Sequence, residues 1–433
     1  MTSERRSAHR DSPSSTPAET VARHGRLPRN GTGRGLLRLV ASVAAVAVVS
    51  TVFVGGVAAL SLTSQLKPGI ALAGEETVPD IGAIEGGVNL LLIGSDGGEG
   101  NAAYGKREAE LNDVTMLMHI SEDHTNATVV SFPRDLLVDI PACTDEEGNQ
   151  NRAVTSQKLN SSLGRGGLAC TVLTVEKLTG LEIPYAAKIE MDGVIQMSTA
   201  VGGVDVCVGT AIRDRQIGFT LDAGEHTLAG WDALQFLRTR YGVGDGSDLS
   251  RNDNQRVFLS ALVRKIKSEE TLSNVVTVYG LAKAAISNMQ MSNSLQNVNT
   301  LASIAVALKD IPLDSVLFLQ YPGATGMAGS QSVVVPNKKD AAVLFGAIKA
   351  DQQLAITGGL GNGSLTDPTV PEPVEPDAAA GADNAAGVEE GSVDAGTSTP
   401  PESTTEPTAP AIVDLPGTVK GQTAGTLTCS AGQ

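Results

Sequence analysis

Motifs that mark several common protein classes are missing from this sequence of 433 residues. The four cysteines form no Cys-x-x-Cys pair, and no cysteine–histidine spacing indicates a zinc site. A Walker-type lysine loop is missing too, and no internal repeat is visible. These absences argue against a zinc domain, a nucleotide substrate and a repeat protein.

Basic residues are missing between Lys349 and Lys420. Acidic residues accumulate there among proline, threonine, alanine and glycine, and they contribute much of the net charge of −16. A segment of this composition cannot bury an apolar core. We therefore predict that residues 351–433 form a disordered acidic tail, with Cys429 near its end.

The N-terminal region has the opposite charge bias. Residues 1–35 carry many arginines and few acidic residues among serine, proline and threonine, which predicts a disordered basic arm. Residues 36–62 are predominantly apolar with Arg38 as their only charge, and this run exceeds the roughly 20 residues that cross a bilayer. A cleaved signal peptide is the alternative, but the long basic arm favours a retained transmembrane helix. The arginines place the arm in the cytoplasm and the rest of the chain outside the cell membrane.

This topology bears on two further questions. The only strongly basic segment lies inside the cell, which argues against nucleic-acid binding.

All four cysteines lie outside, where disulfides form. Cys143 and Cys170 flank one loop-rich segment and are the first predicted pair, which leaves Cys207 with Cys429. The sequence is compatible with three pairings, and this is the one we expect.

Beyond a linker at residues 63–85, the sequence predicts one folded α/β domain at residues 86–350. Apolar runs predict buried strands at residues 88–93, 114–120 and 128–132, and helical patterns follow them. Charged residues stand where these strands begin or end, namely Asp96, Asp113, Arg134 and Asp135. Ligands bind at such an edge in open α/β sheets, so these residues are candidates for a binding site.

A glycine-rich loop at residues 242–248 is flanked by arginines. They are Arg238, Arg240, Arg251 and Arg256. The helix that follows is predicted to be capped by Asp248 or Ser250. Guanidinium groups and helix N-termini both bind phosphate, so the loop is a candidate anion site. A surface loop closed by arginine–aspartate pairs is an equally compatible interpretation.

Six short motifs, taken together, resemble those of the LytR-CpsA-Psr family. In chain order they are NLLLIGSD at residues 89–96, NDVTML at 112–117, SFPRD at 131–135, KLN at 158–160, LRTR at 237–240 and SDLSR at 247–251. Their order and spacing over roughly residues 88–270 are those of the family, behind an N-terminal anchor.

The resemblance implies a three-layer α/β/α domain with a central mixed sheet behind one transmembrane helix. It also implies a Mg²⁺-dependent phosphotransferase that moves a glycopolymer from a polyprenyl-pyrophosphate lipid carrier to peptidoglycan. The residues that would bind the pyrophosphate are Arg134, Lys158, Arg238, Arg240, Arg251 and Gln255. Asp113, with Asp96 and Asp248, would hold Mg²⁺. Arginines and Mg²⁺ suit this chemistry because a pyrophosphate carries several negative charges.

Two positions depart from the family pattern. Leu111 stands where an arginine is common, and Arg107 is a candidate to replace it. Asn254-Gln255-Arg256 stands where Arg-Gln-Gln is common. These departures affect the expected phosphate contacts rather than the family assignment.

Two alternative functions stay open, and one further expectation concerns the lipid. A pyrophosphatase that hydrolyses the lipid carrier would use the same residues, and a non-catalytic, wall-associated regulator would bind the lipid phosphate only as a ligand. The retained arginines and Asp113 argue against the regulator. The apolar helices at residues 272–308 are expected to form one wall of a groove for the lipid.

Overall fold

The computed structural model describes residue 61 and residues 64–73, 86–97, 110–145, 148–368 and 412–433. Residues from Leu62 onward belong to one compact unit, Leu62–Gln433. Within the described ranges, no helix has the length and apolar character that a membrane span needs. The basic arm at residues 1–35 and all of the predicted anchor at 36–62 except residue 61 lie outside these ranges.

The described part of the chain alternates short strands and helices. The strands are β1 Val88–Ser95, β2 Asn112–Ile120, β3 Ala127–Phe132, β4 Leu137–Ile140, β5 Cys143–Thr144, β6 Gln150–Asn151, β7 Val154–Lys158, β8 Tyr185–Ile189, β9 Val204–Thr210, β10 Ile212–Asp214, β11 Phe219–Leu221, β12 Gly224–Leu228, β13 Met289–Met291, β14 Val316–Gln320, β15 Gly323–Ala328, β16 Gln331–Pro336, β17 Leu354–Ala355, β18 Ser364–Thr366, β19 Val413–Asp414, β20 Gly421–Thr423 and β21 Thr428–Ala431. The α-helices are α1 Ser161–Thr179, α2 Met191–Ala200, α3 Gly230–Arg238, α4 Asp248–Lys267, α5 Glu269–Ser273, α6 Val275–Asn288, α7 Val298–Asp310 and α8 Lys338–Lys349.

A central sheet of seven strands has the order β13-β8-β1-β2-β3-β14-β20. Strand β1 is parallel to β8 and β3 is parallel to β14, whereas the other neighbours are antiparallel. The sheet is therefore mixed, and the prediction of a mixed α/β fold is confirmed.

Alternate residues of the central strands pack into two separate apolar clusters. Leu91 and Ile93 of β1 belong to a cluster that includes side chains of α1 and α8. Leu90 of the same strand belongs to another cluster, which includes Ile304 of α7 and against which Leu259 of α4 packs. Helices therefore cover both faces of the sheet, which explains why this strand is apolar at successive positions.

A second sheet, with the order β12-β9-β21-β18, packs against α3 and α4. Val204, Val206 and Val208 are buried along β9, whereas the residues between them are more exposed. This period of two is typical of a strand with one buried face. The valines contact the cluster of Phe236 and Phe258, so α4 packs against both sheets.

The prediction of a disordered tail at residues 351–433 is wrong at both ends of that segment. Residues 351–368 and 412–433 contain β17 to β21. Strand β20 pairs with β14 at the edge of the central sheet, and β21 pairs with β9 in the second sheet. Composition concealed these strands because strands of two to four residues need few apolar side chains when existing sheets supply their partners. Residues 369–411 lie outside the described ranges.

Both predicted disulfides are present. Cys143 of β5 is bonded to Cys170 of α1, with 5.5 Å between their Cα atoms. Cys207 of β9 is bonded to Cys429 of β21, with 4.4 Å between their Cα atoms, across 222 residues of chain. The second bond ties the C-terminal strands to the domain, as expected from the sequence.

Candidate active site

Charged residues collect at one edge of the central sheet. Strands β1 and β3 end at this edge, and β2 begins there because it is antiparallel to both. Asp96 follows β1, Asp113 is the second residue of β2, and Arg134 and Asp135 follow β3. The structure thus brings together the strand-end charges that the sequence singled out.

Arg134 binds the side chain of Asp113. Its Nη1 donates to Asp113 Oδ1 over 2.7 Å. Burial by itself lowers the pKa of Arg134, but the carboxylates of Asp113, Asp248 and Asp135 outweigh burial and raise that pKa above its ordinary value. Arg134 therefore stays cationic at the mouth of the site.

Asp135 connects two further cations, although the family resemblance assigned it no particular role. Its carboxylate lies 3.0 Å from Lys158 Nζ and 3.5 Å from Arg240 Nη1. The Asp135 side chain is buried, with 3% of the residue exposed. Strand β7 delivers Lys158 through its pairing with β4, where Lys158 stands opposite Leu137. A buried carboxylate with two cationic partners fixes both of them in direction.

Asp248 performs the same task for Arg251. Its Oδ1 lies 3.1 Å from Arg251 Nη2 and 3.7 Å from Arg134 Nε. Its Oδ2 accepts a hydrogen bond of 3.2 Å from the backbone N–H of Asp135. The prediction that Asp248 or Ser250 caps α4 is wrong, because both residues lie inside the helix. Ser247 caps the helix instead, and its Oγ accepts from Ser250 N over 3.2 Å.

Backbone carbonyl groups orient three side chains of the site, those of Arg240, Arg251 and Gln255. Arg240 Nε donates to Gly246 O over 3.2 Å, and Arg251 Nη2 donates to Asp113 O over 2.9 Å. Gln255 Nε2 donates to Leu237 O over 3.0 Å. These bonds lock the directions of three of the predicted phosphate-binding side chains.

Gly244 shows why the loop is rich in glycine. Its φ is 50°, in the left-handed region. A Cβ atom there would lie 2.5 Å from Ser250 Oγ and 2.8 Å from Asn362 O. Only glycine allows the loop to approach α4 and the 361–363 segment this closely.

Asp214 is a site-supporting residue that the sequence reasoning missed. Its Oδ2 accepts from Thr239 Oγ1 over 2.9 Å, from Arg240 N over 3.0 Å and from Tyr241 N over 3.1 Å. Burial raises the pKa of Asp214, but these hydrogen bonds, together with one from Gln216 N, outweigh burial and lower it. No local motif distinguishes Asp214 from a surface aspartate, since its partners in the arginine loop lie more than twenty residues away.

An apolar cavity of about 280 Å³ reaches this cluster of charges. Its polar lining includes Asp113, Arg238, Arg251 and Gln255. Its apolar lining comes from the central sheet and from α2, α3 and α4, and includes Leu92, Met116, Val194, Met197, Leu234, Leu237, Phe258, Leu259 and Leu262. The site therefore joins a charged part to an apolar part.

The helices at residues 272–308 do not form the predicted wall of this cavity. Among the described residues that line it, none lies on α5, α6 or α7, and Met289 at the start of β13 is the one lining residue from that range. Side chains of α7 pack in the cluster on one face of the sheet instead. At the start of α6, Val275 and Val276 are exposed to 79% and 80%. Apolar character alone could not tell which helices border a cavity.

A second cavity, of about 720 Å³, lies between β4, β7, α8 and the end of α1. None of the residues predicted for the site lines it. Although this cavity is larger, we assign the site to the smaller one, because only the smaller one combines apolar walls with the arginines.

The three predicted metal ligands do not form one cluster. Within the described ranges, the one group of three such residues whose ligand atoms lie within 4.8 Å of one another is Cys207, Asp367 and Cys429. The two cysteines of that group are bonded to each other. The predicted three-carboxylate site of Asp96, Asp113 and Asp248 is therefore not formed.

Asp113 nevertheless fits a magnesium site. It lines the cavity, and its side chain is 20% exposed. Asp96, by contrast, accepts a 2.8 Å hydrogen bond from the backbone N–H of Leu111. Mg²⁺ is often held by one or two carboxylates and by substrate phosphates, so a single aspartate beside a phosphate site is a suitable donor. Arg107, the candidate replacement for the arginine missing at Leu111, lies outside the described residues.

The sequence profile of the LytR_cpsA_psr family matches residues 66–350, and the chain belongs to this family. The resemblance drawn from the six motifs is confirmed. The match ends before the C-terminal strands β17 to β21.

Two curated relatives and one solved structure illustrate the likeness. The cell wall biosynthesis protein LcpA of Corynebacterium glutamicum is 26% identical over 338 residues, which are 70% of this chain and 64% of that protein. The polyisoprenyl-teichoic acid–peptidoglycan teichoic acid transferase TagU of Enterococcus faecalis is 29% identical over 214 residues, 49% of this chain and 64% of that protein. This chain thus spans less than two thirds of either relative. A crystal structure of a Streptococcus agalactiae protein, 22% identical, has a TM-score of 0.50 over 61% of this chain and 87% of that one, which is a likeness of fold.

Proposed function

We propose that this protein transfers a glycopolymer from a polyprenyl-pyrophosphate carrier to peptidoglycan and joins them by a phosphodiester. The observation that carries the proposal is the junction of an apolar cavity with a cluster of arginines. A polyprenyl pyrophosphate has the same two parts, an apolar chain and an anionic head. The name of the E. faecalis relative describes the same class of reaction.

The charge of the site suits a pyrophosphate diester. Five cations, Arg134, Lys158, Arg238, Arg240 and Arg251, face three carboxylates, Asp113, Asp135 and Asp248. A pyrophosphate diester carries two negative charges, which these cations are placed to offset. Charge-assisted hydrogen bonds from guanidinium groups are the contacts that such a head group favours.

In the proposed reaction, a peptidoglycan hydroxyl attacks the phosphorus that bears the glycan. The bond from that phosphorus to the bridging oxygen breaks, and polyprenyl phosphate leaves with the electron pair. Arg238 and Arg251 line the cavity, so they are placed to bind the leaving lipid phosphate. Arg134 and Arg240, held through Asp113 and Asp135, are placed to stabilise the charge on the transferred phosphate.

Asp113 is the carboxylate best placed to accept the proton of the attacking hydroxyl. Asp248 is buried among its ion-pair partners and does not line the cavity, so we do not assign it the role of proton acceptor. Asp113 borders the cavity and is the residue that would hold Mg²⁺. When bound there, the ion would offset phosphate charge and acidify the hydroxyl.

We also propose that residues 36–62 anchor the chain in the cell membrane and that the folded part is an extracytoplasmic three-layer α/β/α domain. The two disulfides support this location, since such bonds persist in oxidising compartments. The apolar length of the segment and its flanking arginines support the anchor.

The test is an assay of the full chain in detergent with a labelled polyprenyl-pyrophosphate glycan, peptidoglycan and Mg²⁺. We expect label on peptidoglycan, and a loss of transfer in Asp113→Ala or with a chelator. Asp123→Ala is the matched control. Asp123 is exposed in a loop, so this variant should leave transfer unchanged. Label released as a free glycan phosphate would favour the pyrophosphatase, and binding without turnover would favour the regulator. Full transfer by Asp113→Ala would contradict the proposed chemistry.

A further inference from the structure

The last described residues pair with the arginine loop. Gly244 N donates to Ala431 O over 2.8 Å, and Gln433 N donates to Gly242 O over 3.0 Å. Val243 and Gly432 form an antiparallel bridge between these two bonds. The loop that follows Arg240 thus has a backbone partner, which comes from beyond the family match at residues 66–350.

The same segment also contacts the helix that carries Arg251. Ser430 Oγ donates to Asn254 Oδ1 in α4, and both residues are fully buried. Asn254 in turn donates to Phe236 O in α3, over 2.6 Å. One residue of the terminal segment therefore connects α4 with the helix that leads to Arg238.

Gly432 is held from its other side by the last residue of β9. Its N–H donates to Thr210 O over 3.2 Å, and its carbonyl accepts from Thr210 Oγ1 over 3.0 Å. A Cβ on Gly432 would lie 2.1 Å from Ala211 O, a backbone atom. The terminal segment is therefore wedged between a sheet and the loop, with no room for a side chain at this position.

We infer that residues Ser430–Gln433, here called the terminal clamp, are a positioning element of the phosphate site. The loop contains Gly242, Gly244 and Gly246, which favour many conformations unless another backbone restrains them. The clamp supplies that restraint on one side of the loop, and Asp214 supplies it on the other. The clamp thereby keeps Arg240 and Arg251 at the spacing that one pyrophosphate requires. The inference rests on the proposed function.

Gly432→Ala tests the clamp, with Gly417→Ala as its matched control. Gly417 lies in the same C-terminal segment, but a Cβ there would meet nothing within 4 Å. In the full chain with its disulfides intact, Gly432→Ala should raise KM for the lipid-linked donor and lower kcat/KM on the order of ten- to a hundredfold, because small misplacements of binding groups are costly. It should also weaken binding of inorganic pyrophosphate and speed hydrogen exchange at the Gly244 amide. Gly417→Ala should match the wild type in all four measurements.

Two outcomes would overturn the inference. One is a Gly432→Ala protein whose KM, kcat and pyrophosphate affinity equal those of Gly417→Ala. The other is a lower yield of folded protein with unchanged KM and unchanged pyrophosphate affinity, which would show a merely structural role. If the wild type binds pyrophosphate but transfers no glycan, the proposed function fails, while the affinity comparison still decides on the clamp. Ser430→Ala, which leaves the backbone pairing in place, should give a smaller effect in the same direction.

Discussion

At the residue scale, the direction of Arg240 is set by partners that do not line the cavity. Arg240 lies between the carboxylate of Asp135 and the carbonyl of Gly246, and its guanidinium stands 5.5 Å from the centre of the Tyr241 ring. A planar guanidinium can keep these contacts and still present N–H groups to a phosphate. A lysine ammonium has one point of charge on a flexible stem.

We therefore expect Arg240→Lys to lose most of the transfer activity. The loss should be about 2–4 kcal/mol of transition-state stabilisation, a hundredfold or more in kcat/KM. Arg213→Lys is the matched control, because Arg213 is an exposed arginine with a single carboxylate partner, Asp222. A steady-state assay in which both variants kept wild-type rates would contradict the role of Arg240.

Asp214 should make the stability of the protein depend on pH in the acid range. Its pKa is lowered in the folded protein, so its contribution is fully present above its ordinary pKa of about 4 and is lost as the pH falls through the folded value. At pH 7, Asp214→Asn should cost about 1–2 kcal/mol in the free energy of unfolding, since charged hydrogen bonds become neutral ones. The difference from the wild type should narrow below about pH 4.

Urea unfolding at pH 7, 5 and 3 checks this expectation. Asp222→Asn is the control, because Asp222 has an 81% exposed side chain in the same region and should change stability little. A cost for Asp214→Asn that stays constant from pH 7 to pH 3 would show that ionisation of Asp214 is not the cause.

At the element scale, one face of α4 changes from polar to apolar along the helix. Asp248, Arg251 and Gln255 come first, and Leu259 and Leu262 follow at spacings of three and four residues. All of these residues except Asp248 line the cavity. A single helix therefore borders both the head-group site and the apolar cavity, in the order in which a lipid pyrophosphate would lie along it.

Leu262→Trp should discriminate between donors by the length of their lipid. The larger side chain would fill part of the cavity of about 280 Å³, so a long polyprenyl chain should bind about tenfold or more weakly, which is roughly 1.4 kcal/mol. A donor analogue with a short lipid should be affected less. Kd values for both lipids, measured with the purified chain, check the prediction.

Val276→Trp is the control for this experiment. Val276 lies on α6, is 80% exposed and does not line the cavity. If Leu262→Trp and Val276→Trp gave the same ratio of long-chain to short-chain affinity, the cavity would not be the lipid site.

At the scale of the whole molecule, the two disulfides close loops of very different length. Cys143–Cys170 spans 27 residues and Cys207–Cys429 spans 222. In the chain-entropy model these loops correspond to about 3.5 and about 5 kcal/mol of stabilisation, less any strain. The longer loop also contains β12 and β18 of the second sheet and the whole of α4.

The double variant Cys207→Ser/Cys429→Ser should therefore unfold at a lower denaturant concentration than Cys143→Ser/Cys170→Ser. It should also lose more transfer activity at equal amounts of folded protein, because Cys429 directly precedes the terminal clamp. Guanidinium unfolding followed by near-UV circular dichroism gives the two midpoints. The reverse order of midpoints would show that loop length does not govern the stability of this protein.

The sequence by itself determined the family, the mixed α/β class and the strand-end charges. These features are local or are set by short motifs. Apolar runs identify strands such as β1, and NDVTML or SFPRD identifies the segments that carry Asp113 and Arg134. The arginine loop was recognisable for the same reason, since its glycines and arginines stand within about twenty residues of one another.

Only the tertiary structure decided which distant groups meet. Asp135 holds Arg240 across 105 positions of the chain, and Asp214 holds the loop through hydrogen bonds to residues without any shared motif. The helices that line the cavity are α2, α3 and α4, which are not the most apolar helices of the chain. The C-terminal strands looked like a tail because each is too short to show a pattern. They become ordered by pairing with β14 and β9, and such partners exist only once the rest of the domain has folded.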